Sequence, residues 1–290
     1  MVDVIEERRA AVLPGLRRPA VHWKRLRGNA GLLIAGAVAL LAVGWALAPS
    51  VFAGGDPLTG VPAQKFQGPS AEHWFGTDNL GRDLYTRMVH GAGLSLTATL
   101  AAVGIAFVAG SLLGLLSGAI GGVVDTVVMR SVDVLLSVPA LLLSLALVTA
   151  LGFGTGNVAI AVGVSLVANF ARVMRSEVLR VRQAGYVEAA HAAGLRWYTV
   201  LARHVLPNAY QPVLALAAVE FGMAVLAVSA LSFLGYGAKP PTPEWGTLIS
   251  EGRNYLATAW WMTTLPGFVI IAVVLAAQRL GRAIGKGEHP

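Results

Sequence analysis

Residues 134–171 read VLLSVPALLLSLALVTALGFGTGNVAIAVGVSLVANFA, and no charged side chain occurs in these 38 positions. A helix needs about 20 apolar residues to cross the hydrocarbon core of a bilayer, so this run is too long for one crossing and fits two. The glycine-rich stretch 152–157 is a natural turn between the two arms. The segment therefore predicts a helical hairpin in a membrane, with residues 152–157 at its tip.

The composition of the chain excludes several functional classes. Of its 290 residues, 56% are hydrophobic and 13% are charged, whereas soluble domains carry about 25% charged residues. The absence of cysteine excludes disulfides, thiolate metal sites and cysteine nucleophiles. No G-x-x-x-x-G-K-[S/T] phosphate loop and no H-E-x-x-H metal motif occurs. We therefore expect no catalytic residue, no metal site and no cofactor bound by this chain.

Charge-poor runs place the remaining membrane helices, at residues 30–48, within 93–117, at 209–234 and at 264–283. Together with the hairpin they predict an all-α polytopic protein with six spans, residues 118–133 forming a turn. The first run is followed by Ala46-Leu47-Ala48, which resembles a signal-peptidase site. The run exceeds the usual signal core of about 7–15 residues, which favours an uncleaved anchor over a signal peptide.

The basic residues predict the orientation of the spans. Of 22 lysines and arginines, seventeen lie in the N-terminal tail, the 118–133 turn, the 172–203 loop and the C-terminus. Five lie in the segments on the other side of the membrane. Basic residues concentrate on the cytoplasmic side, so we expect both termini and the 172–208 loop in the cytoplasm. This bias accounts for the net charge of +7 better than nucleic-acid binding does.

The predicted cytoplasmic loop has a regular arrangement of small residues and helix breaks. Residues 188–194 read EAAHAAG, and Leu206-Pro207 follows after a further eleven residues. We predict a short helix over 186–193, ended by Gly194 because glycine tolerates positive φ. A second short helix is expected over 195–205, with Pro207 in the first turn of the next span. The alternative is an ordinary loop whose basic residues only set topology.

This spacing resembles the EAA loop of the binding-protein-dependent ABC importers. The resemblance implies that the first short helix lies in a cleft of an ATPase subunit and transmits its closure to the spans. Magnesium and ATP are then used by the partner, not by this chain. The implied coupling residues, within a loop at about 174–207, are Glu188, Ala189, Ala190, His191, Gly194, Arg196, Leu206 and Pro207.

Two further segments on the predicted outer side resemble the C-type subunit of the dipeptide, oligopeptide and nickel permeases. The first, residues 73–83, reads HWFGTDNLGRD. Here we predict that Asp78 caps an amphipathic helix with Leu80, Leu84 and Met88 on one face. This helix would either lie on the outer leaflet or form a collar over the pathway. The collar residues are Gly76, Thr77, Asp78, Gly81, Arg82 and Asp83.

The second outer segment contains LSFLGYG at 231–237, PPTPEWG at 240–246 and EGR at 251–253. We predict a proline-stiffened outer loop near the dock of a binding protein. The alternative is an aromatic belt at the headgroup boundary, formed by Trp245, Tyr255, Trp260 and Trp261. The residues assigned to the loop are Pro240, Pro241, Trp245, Gly246, Glu251 and Arg253.

Glu220 is the one acidic residue deep in a predicted span. Intramembrane carboxylates are costly and face a cavity or a partner. We therefore consider two roles: a pathway residue that contacts a cationic group, and an interhelical hydrogen bond. Glu220 is also the main feature that favours a rival class, a stand-alone secondary transporter or channel.

The resemblance, which covers about residues 25–283, implies a non-catalytic permease subunit of an ATP-driven importer in a bacterial cell membrane. It would pair with a homologous B-type permease, with ATPase subunits, two separate chains or one fused chain, and with an external substrate-binding protein. Short peptides are the expected substrate; nickel chelates, haem-like ligands and glutathione are alternatives. The predicted organisation is a tail at 1–28, a first span and outer loop at 29–92, a permease core at 93–284 and a tail at 285–290.

Overall fold

The computed structural model describes residues 21–286, and over this range the chain is helical, with a single β-bridge between Thr77 and Asp83. Most of the predicted N-terminal tail and residues 287–290 lie outside the described part. The α-helices, in chain order, are α1 Val21–Leu47, α2 Pro49–Phe52, α3 Leu84–Ile120, α4 Gly122–Ser137, α5 Ala140–Leu151, α6 Thr155–Arg182, α7 Gly185–Ala192, α8 Trp197–Val200, α9 Leu206–Phe233, α10 Trp245–Gly252 and α11 Trp261–Lys286. Short 3₁₀ turns occur at Pro62–Gln64 and Arg253–Tyr255, and a π-helical segment, Leu201–Val205, joins α8 to α9.

Within the described range, five helices are long and apolar enough to cross a membrane: α1, α3, α6, the continuous α8–α9 helix, and α11. The sixth crossing is not a single straight helix, because α4 and α5 are bent by 94°. At about 1.5 Å per residue, the 12 residues of α5 rise about 18 Å, which is too short to cross alone. Six crossings therefore require α4 and α5 to act as one broken span.

The bend corrects the sequence prediction in two places. The expected turn at 118–133 is largely α4, and the first arm of the hairpin breaks at Val138-Pro139. Pro139 lacks the N–H that a continuing helix needs, and Val138 before it is extended, with φ −99° and ψ 130°. The tip of the hairpin is where the sequence placed it: Gly152 and Gly154 have φ of +91° and +122°.

The closest helix contact is that of α3 with α6. Every fourth residue of α3 over 98–118 is small and buried: Ala98, Ala102, Ala106, Gly110, Gly114 and Gly118. A Cβ on Gly110 would lie 2.5 Å from the carbonyl oxygen of Val167, and one on Gly114 would overlap that of Ala171. Small residues at this spacing let two membrane helices approach to backbone contact. The stripe therefore fixes α6 directly against α3.

Polar groups secure the end of this helix pair that leads to α7. Arg175 of α6 forms a two-pronged ion pair with Asp125 of α4, with an Nη2–Oδ2 distance of 2.6 Å, and Ser117 of α3 also bonds this carboxylate. Arg182 donates to the carbonyls of Gly118 and Ala119 at the end of α3. These bonds therefore hold α3, α4 and α6 together at the end of the bundle from which the chain continues to α7.

A second core cluster holds the opposite end of the bundle. It joins Ala42 and Trp45 of α1 to the first turns of α3, to Trp245 and Leu248 of α10, and to α11. Helix α3 runs without a break through residues 92 and 93, where the sequence prediction divides the first segment from the permease core. The outer segments and the membrane helices are thus packed on each other.

Gly114→Ala should destabilise the protein, because the added methyl group meets the backbone of α6. Overpacking of this kind costs about 1–3 kcal/mol. The matched control is Gly104→Ala, on the same helix with no atom within 4 Å of the new methyl group. We expect a lower thermal unfolding temperature in detergent for Gly114→Ala alone. Equal unfolding temperatures for the two variants would contradict the backbone contact.

Candidate functional site

The segment between α6 and α9 forms a compact projection at one end of the bundle, which we call the knob (residues 183–205). Helix α7 buries Val187 and Ala190, while Glu188, Ala189 and Ala192 are exposed. The buried side chains belong to the same core cluster as the membrane helices α3, α6 and α9, and so do Val200 and Val205. The knob is therefore an extension of the bundle core rather than a loose connection.

Gly194 ends α7 in the way that the sequence predicts. Its φ is +80°, a conformation that is unfavourable for residues with a Cβ. The N–H of Gly194 donates to His191 O at 2.9 Å and that of Leu195 to Ala190 O at 3.3 Å. These two bonds form a Schellman motif, which satisfies the last carbonyls of the helix. The turn fixes the direction in which the chain leaves α7.

The second half of the knob differs from the prediction. The sequence suggested a separate short helix over 195–205, but α8 begins at Trp197 and continues through the π-helical segment into α9. Leu206 and Pro207 lie in this continuous helix, where both are exposed. Pro207 has no N–H to donate, and it follows the π-helical segment, at whose end Leu206 N–H bonds Leu201 O, five residues back. The second half of the knob is thus continuous with the membrane helix α9.

The exposed face of the knob is polar at its centre and apolar around it. The imidazole of His191 contacts Val187 O through Nδ1 at 2.9 Å, and Arg196 donates to Tyr198 Oη at 2.8 Å. Four large side chains near them are between 41% and 61% exposed: Tyr186, Leu195, Trp197 and Tyr198. Sequence reasoning did not single them out. Large exposed apolar side chains of this kind are typical of a surface that binds a partner. We call these four residues the apolar rim of the knob.

At the opposite end, four charges from two distant segments form one buried cluster. Asp78 accepts bonds from Arg82 Nε at 2.6 Å and from Arg87 Nη1 at 2.9 Å, and neither Asp78 nor Arg87 has an exposed side chain. Both arginines also pair with Glu251, which follows 164 residues after Arg87. Two positive and two negative charges balance, as buried ions require. The cluster locks the 73–83 segment to the 240–253 segment.

This cluster overturns the predicted role of Asp78. Asp78 caps no helix, because its carboxylate is occupied by the arginines and by the N–H groups of Leu80 and Arg82. Asp83 is the N-cap of α3 and accepts from Thr86 N at 2.7 Å. The predicted amphipathic helix over 78–88 is therefore wrong: residues 73–83 are a folded loop, and α3 starts at Leu84.

The loop holds its shape through close backbone approaches. Gly76 and Gly81 have φ of +73° and +76°, and a Cβ on either would overlap a carbonyl oxygen of residues 61–67. Thr77 bonds Gln67 N through its hydroxyl at 2.9 Å. His73 contacts Asp83 at 2.9 Å. The collar residues therefore serve first to build a rigid outer structure.

The outer aromatic residues do not form a single belt. Trp245 is fully buried, and its indole N–H donates to Met88 O at 3.0 Å. Trp261 is also buried and donates to Thr77 O at 3.1 Å, whereas Trp260 is exposed. Gly246 packs against the backbone of Ser229. The belt interpretation is therefore wrong for the two buried tryptophans, which pin the outer loops onto the helices.

Glu244, which sequence reasoning missed, anchors the start of α10. It is fully buried and accepts bonds from Ser232 Oγ and from Ala238 N, the latter at 2.7 Å. Beside it, Pro241 O accepts from Arg87 Nη2 at 3.3 Å. Arg253 is exposed and lines an outer cleft with Arg82 and Glu251. The proline-rich loop is thus held by the buried carboxylate of Glu244 and by the guanidinium of Arg87.

Between the two ends lies a cavity of about 370 Å³ lined by α5, α6 and α9. Glu220 of α9 is 9% exposed and accepts a hydrogen bond from Asn169 Nδ2 of α6 at 2.9 Å. The structure shows an interhelical hydrogen bond for Glu220 and places the residue on the wall of a cavity, while the contact with a cationic group stays a prediction. In the described residues, no group of three or more histidines and carboxylates is arranged to hold a metal ion.

Comparison with known proteins gives a consistent result. Residues 110–287 match the family described as the inner membrane component of binding-protein-dependent transport systems. The chain is 41% identical over 229 residues to the dipeptide transport system permease protein of Alkalihalophilus pseudofirmus, covering 79% of this chain and 75% of that protein. It is 37% identical to the glutathione transport system permease protein of Pectobacterium atrosepticum, covering 77% and 74%.

Solved structures share the fold. The MetNI methionine ABC transporter in its inward-facing conformations aligns with a TM-score of 0.53 at 19% identity, covering 68% of this chain and 96% of that one. An amino acid ABC transporter crystallised with histidines aligns with a TM-score of 0.56 at 15% identity, covering 70% and 94%. At these identities the likeness establishes the helix arrangement.

Arg87→Met should destabilise the outer end strongly, because Asp78 and Glu251 would then have only the positive charge of Arg82 to share. Removing one member of a buried ion pair costs about 3–5 kcal/mol. Arg253→Met, the same change at an exposed arginine of the outer loop, is the control. Thermal unfolding of the purified protein should separate the two variants clearly. A small and equal decrease in the unfolding temperature of both variants would show that the buried cluster does not hold the outer segments together.

Proposed function

The chain belongs to the family of inner membrane components of binding-protein-dependent transport systems, and we propose that it is a non-catalytic permease subunit of an ATP-driven importer of short peptides. The observation that carries the proposal is the knob. Its small exposed face, fixed turn and apolar rim suit insertion into a cleft of an ATPase subunit. Its core is continuous with α3, α6 and α9, so a force applied to it reaches the membrane helices.

The distribution of basic residues supports an orientation for the spans. Basic residues dominate the knob and the ends of α6 and α11, which supports placing the knob and both termini in the cytoplasm. The buried charge cluster and the proline-rich loop then face outward. Their polar cleft, lined by Arg82, Glu251 and Arg253, is the surface on which an external binding protein would dock.

The assembly we propose contains two permease subunits, this one and a homologous B-type chain, with two ATPase domains and one binding protein. The curved α4–α5 pair leaves many apolar side chains exposed, including Val134, Leu141, Leu142 and Leu151. Lipid or the second permease would cover them. ATP and magnesium would act in the ATPase subunits, and this chain would convert their closure into helix movement.

Short peptides are the substrate class that the relatives' names support, since these include dipeptide and glutathione permeases. Dipeptides and tripeptides share a free ammonium, a carboxylate and one or two peptide bonds.

A stand-alone secondary transporter would instead move substrate without ATPase partners. Uptake by reconstituted chain with and without the ATPase subunits separates the two classes.

Gly194→Val should uncouple ATP hydrolysis from uptake. At φ +80° a side chain costs about 1–2 kcal/mol, so the turn would change shape and α7 would no longer fit its cleft. Gly185→Val is the control, because Gly185 lies at the other end of α7, has ordinary φ and has equally open surroundings. In proteoliposomes with loaded binding protein, we expect Gly194→Val to lose most stimulated ATP hydrolysis and peptide uptake. Gly185→Val should retain both.

Both variants leave the lipid-facing helices unchanged, so insertion and pairing with the second permease should persist and can be checked by co-purification. Wild-type stimulation and uptake in the assembled Gly194→Val transporter would contradict the coupling role of the knob.

A further inference from the structure

The cavity between α5, α6 and α9 has a composition that selects for one kind of ligand group. Its three polar residues are Ser165, Asn169 and Glu220, and the rest of its lining is aliphatic side chains and one methionine. Among the residues that the structure describes, no lysine, arginine or histidine lines it. Its volume of about 370 Å³ falls within the range of about 300–1,000 Å³ that small-molecule sites occupy.

The free hydrogen-bonding capacity of this cavity consists mainly of acceptors. Asn169 uses one N–H of its Nδ2 to donate to Glu220 Oε1, which leaves its second N–H as a donor and its own carbonyl oxygen as an acceptor. Ser165 spends its proton on Val162 O at 2.7 Å, which leaves the hydroxyl lone pairs. Glu220 Oε2 accepts no hydrogen bond from the part of the chain that the structure describes. A carboxylate, an amide oxygen and a hydroxyl oxygen match the three donors of an ammonium group.

The position of Glu220 fits a pathway residue. It lies fourteen residues after the start of α9 and thirteen before its end, about 20 Å from each at 1.5 Å per residue. An ionisable residue at such a depth is retained where it meets a partner charge or a water-filled path. The single bond from Asn169 supplies no opposite charge, which leaves room beside Glu220 for a mobile cation.

We propose that Glu220, Asn169 and Ser165 form a mid-membrane subsite of the translocation pathway that binds the free α-ammonium group of a peptide in transit. The proposal rests on the proposed function, since it presumes that peptides pass through this subunit. It adds that the permease itself, and not only the external binding protein, discriminates in favour of a positively charged end.

The native chain lacks cysteine, so a single cysteine at the cavity wall reports on its electrostatics. We would place it at Ala227, which lines the cavity, in the complete transporter assembled from cysteine-free partners in nanodiscs. Reaction rates with a cationic trimethylammonium-ethyl and an anionic sulfonato-ethyl thiosulfonate are then compared. Ser70→Cys, on the exposed outer loop, gives the reference ratio of the two rates.

The cation-to-anion rate ratio at Ala227→Cys should exceed that at Ser70→Cys at least about tenfold, the effect of one nearby charge in a medium less polar than water. Adding Glu220→Gln, which keeps the shape and removes the charge, should return the ratio to the reference value. A saturating free dipeptide should slow the cationic reagent several-fold, whereas its N-acetylated form should not.

Three results would overturn the proposal: an unreactive Ala227→Cys, a ratio unchanged by Glu220→Gln, or equal protection by the free and N-acetylated dipeptides. The first would mean that another helix fills the cavity. Stimulation of ATP hydrolysis by loaded binding protein, measured on the same Glu220→Gln assembly, reports separately on the proposed function. If stimulation persists while the rate ratio fails, only the ammonium subsite is lost.

Discussion

The backbone contact between α3 and α6 is the constraint on which the rest of the molecule depends. Membrane helices gain little from the hydrophobic effect against each other, because lipid is as apolar as their side chains. A stripe of alanine and glycine from Ala98 to Gly118 replaces that force with close packing along this part of α3. The knob follows directly after α6. The contact of α6 with α3 therefore fixes the position of the knob relative to the membrane helices.

The two ends of the bundle are built by different means that suit different tasks. At the outer end, buried ion pairs and indole hydrogen bonds fix Asp78, Arg87, Glu251 and Trp245 in one rigid structure. At the knob end, apolar contacts and one Schellman turn position an exposed surface. Glu220 lies between them, on α9, which is continuous with the second half of the knob.

The sequence predicts the features that depend on neighbouring residues. Charge-free runs locate the membrane helices, and the positive φ of Gly152, Gly154 and Gly194 falls where glycine-rich turns and helix ends are expected. Pro139 indicates the break between α4 and α5. The sequence prediction missed this break because it followed the length of the apolar run instead. Asp78 and Asp83 are equally good local caps, so local rules could not choose between them.

Contacts between residues that are far apart in the chain determine the features that the sequence could not predict. Glu251 reaches Arg87 across 164 positions, and Asn169 reaches Glu220 across 51. Once Arg82 and Arg87 occupy Asp78, only Asp83 remains to cap α3. The exposed rim of Trp197 and Tyr198 likewise becomes visible only when the knob is seen to be packed on its other face.

The central claim is that α7 lies in a cleft of an ATPase subunit and moves with it. Cysteine at Ala192, an exposed position of α7, tests it directly in the assembled transporter with a short bifunctional maleimide. We expect Ala192→Cys to cross-link rapidly to the ATPase subunit, at a rate that changes on ATP binding. We expect no cross-link from Ser70→Cys at the outer end. No cross-link from Ala192→Cys in any nucleotide state, with normal assembly, would contradict it.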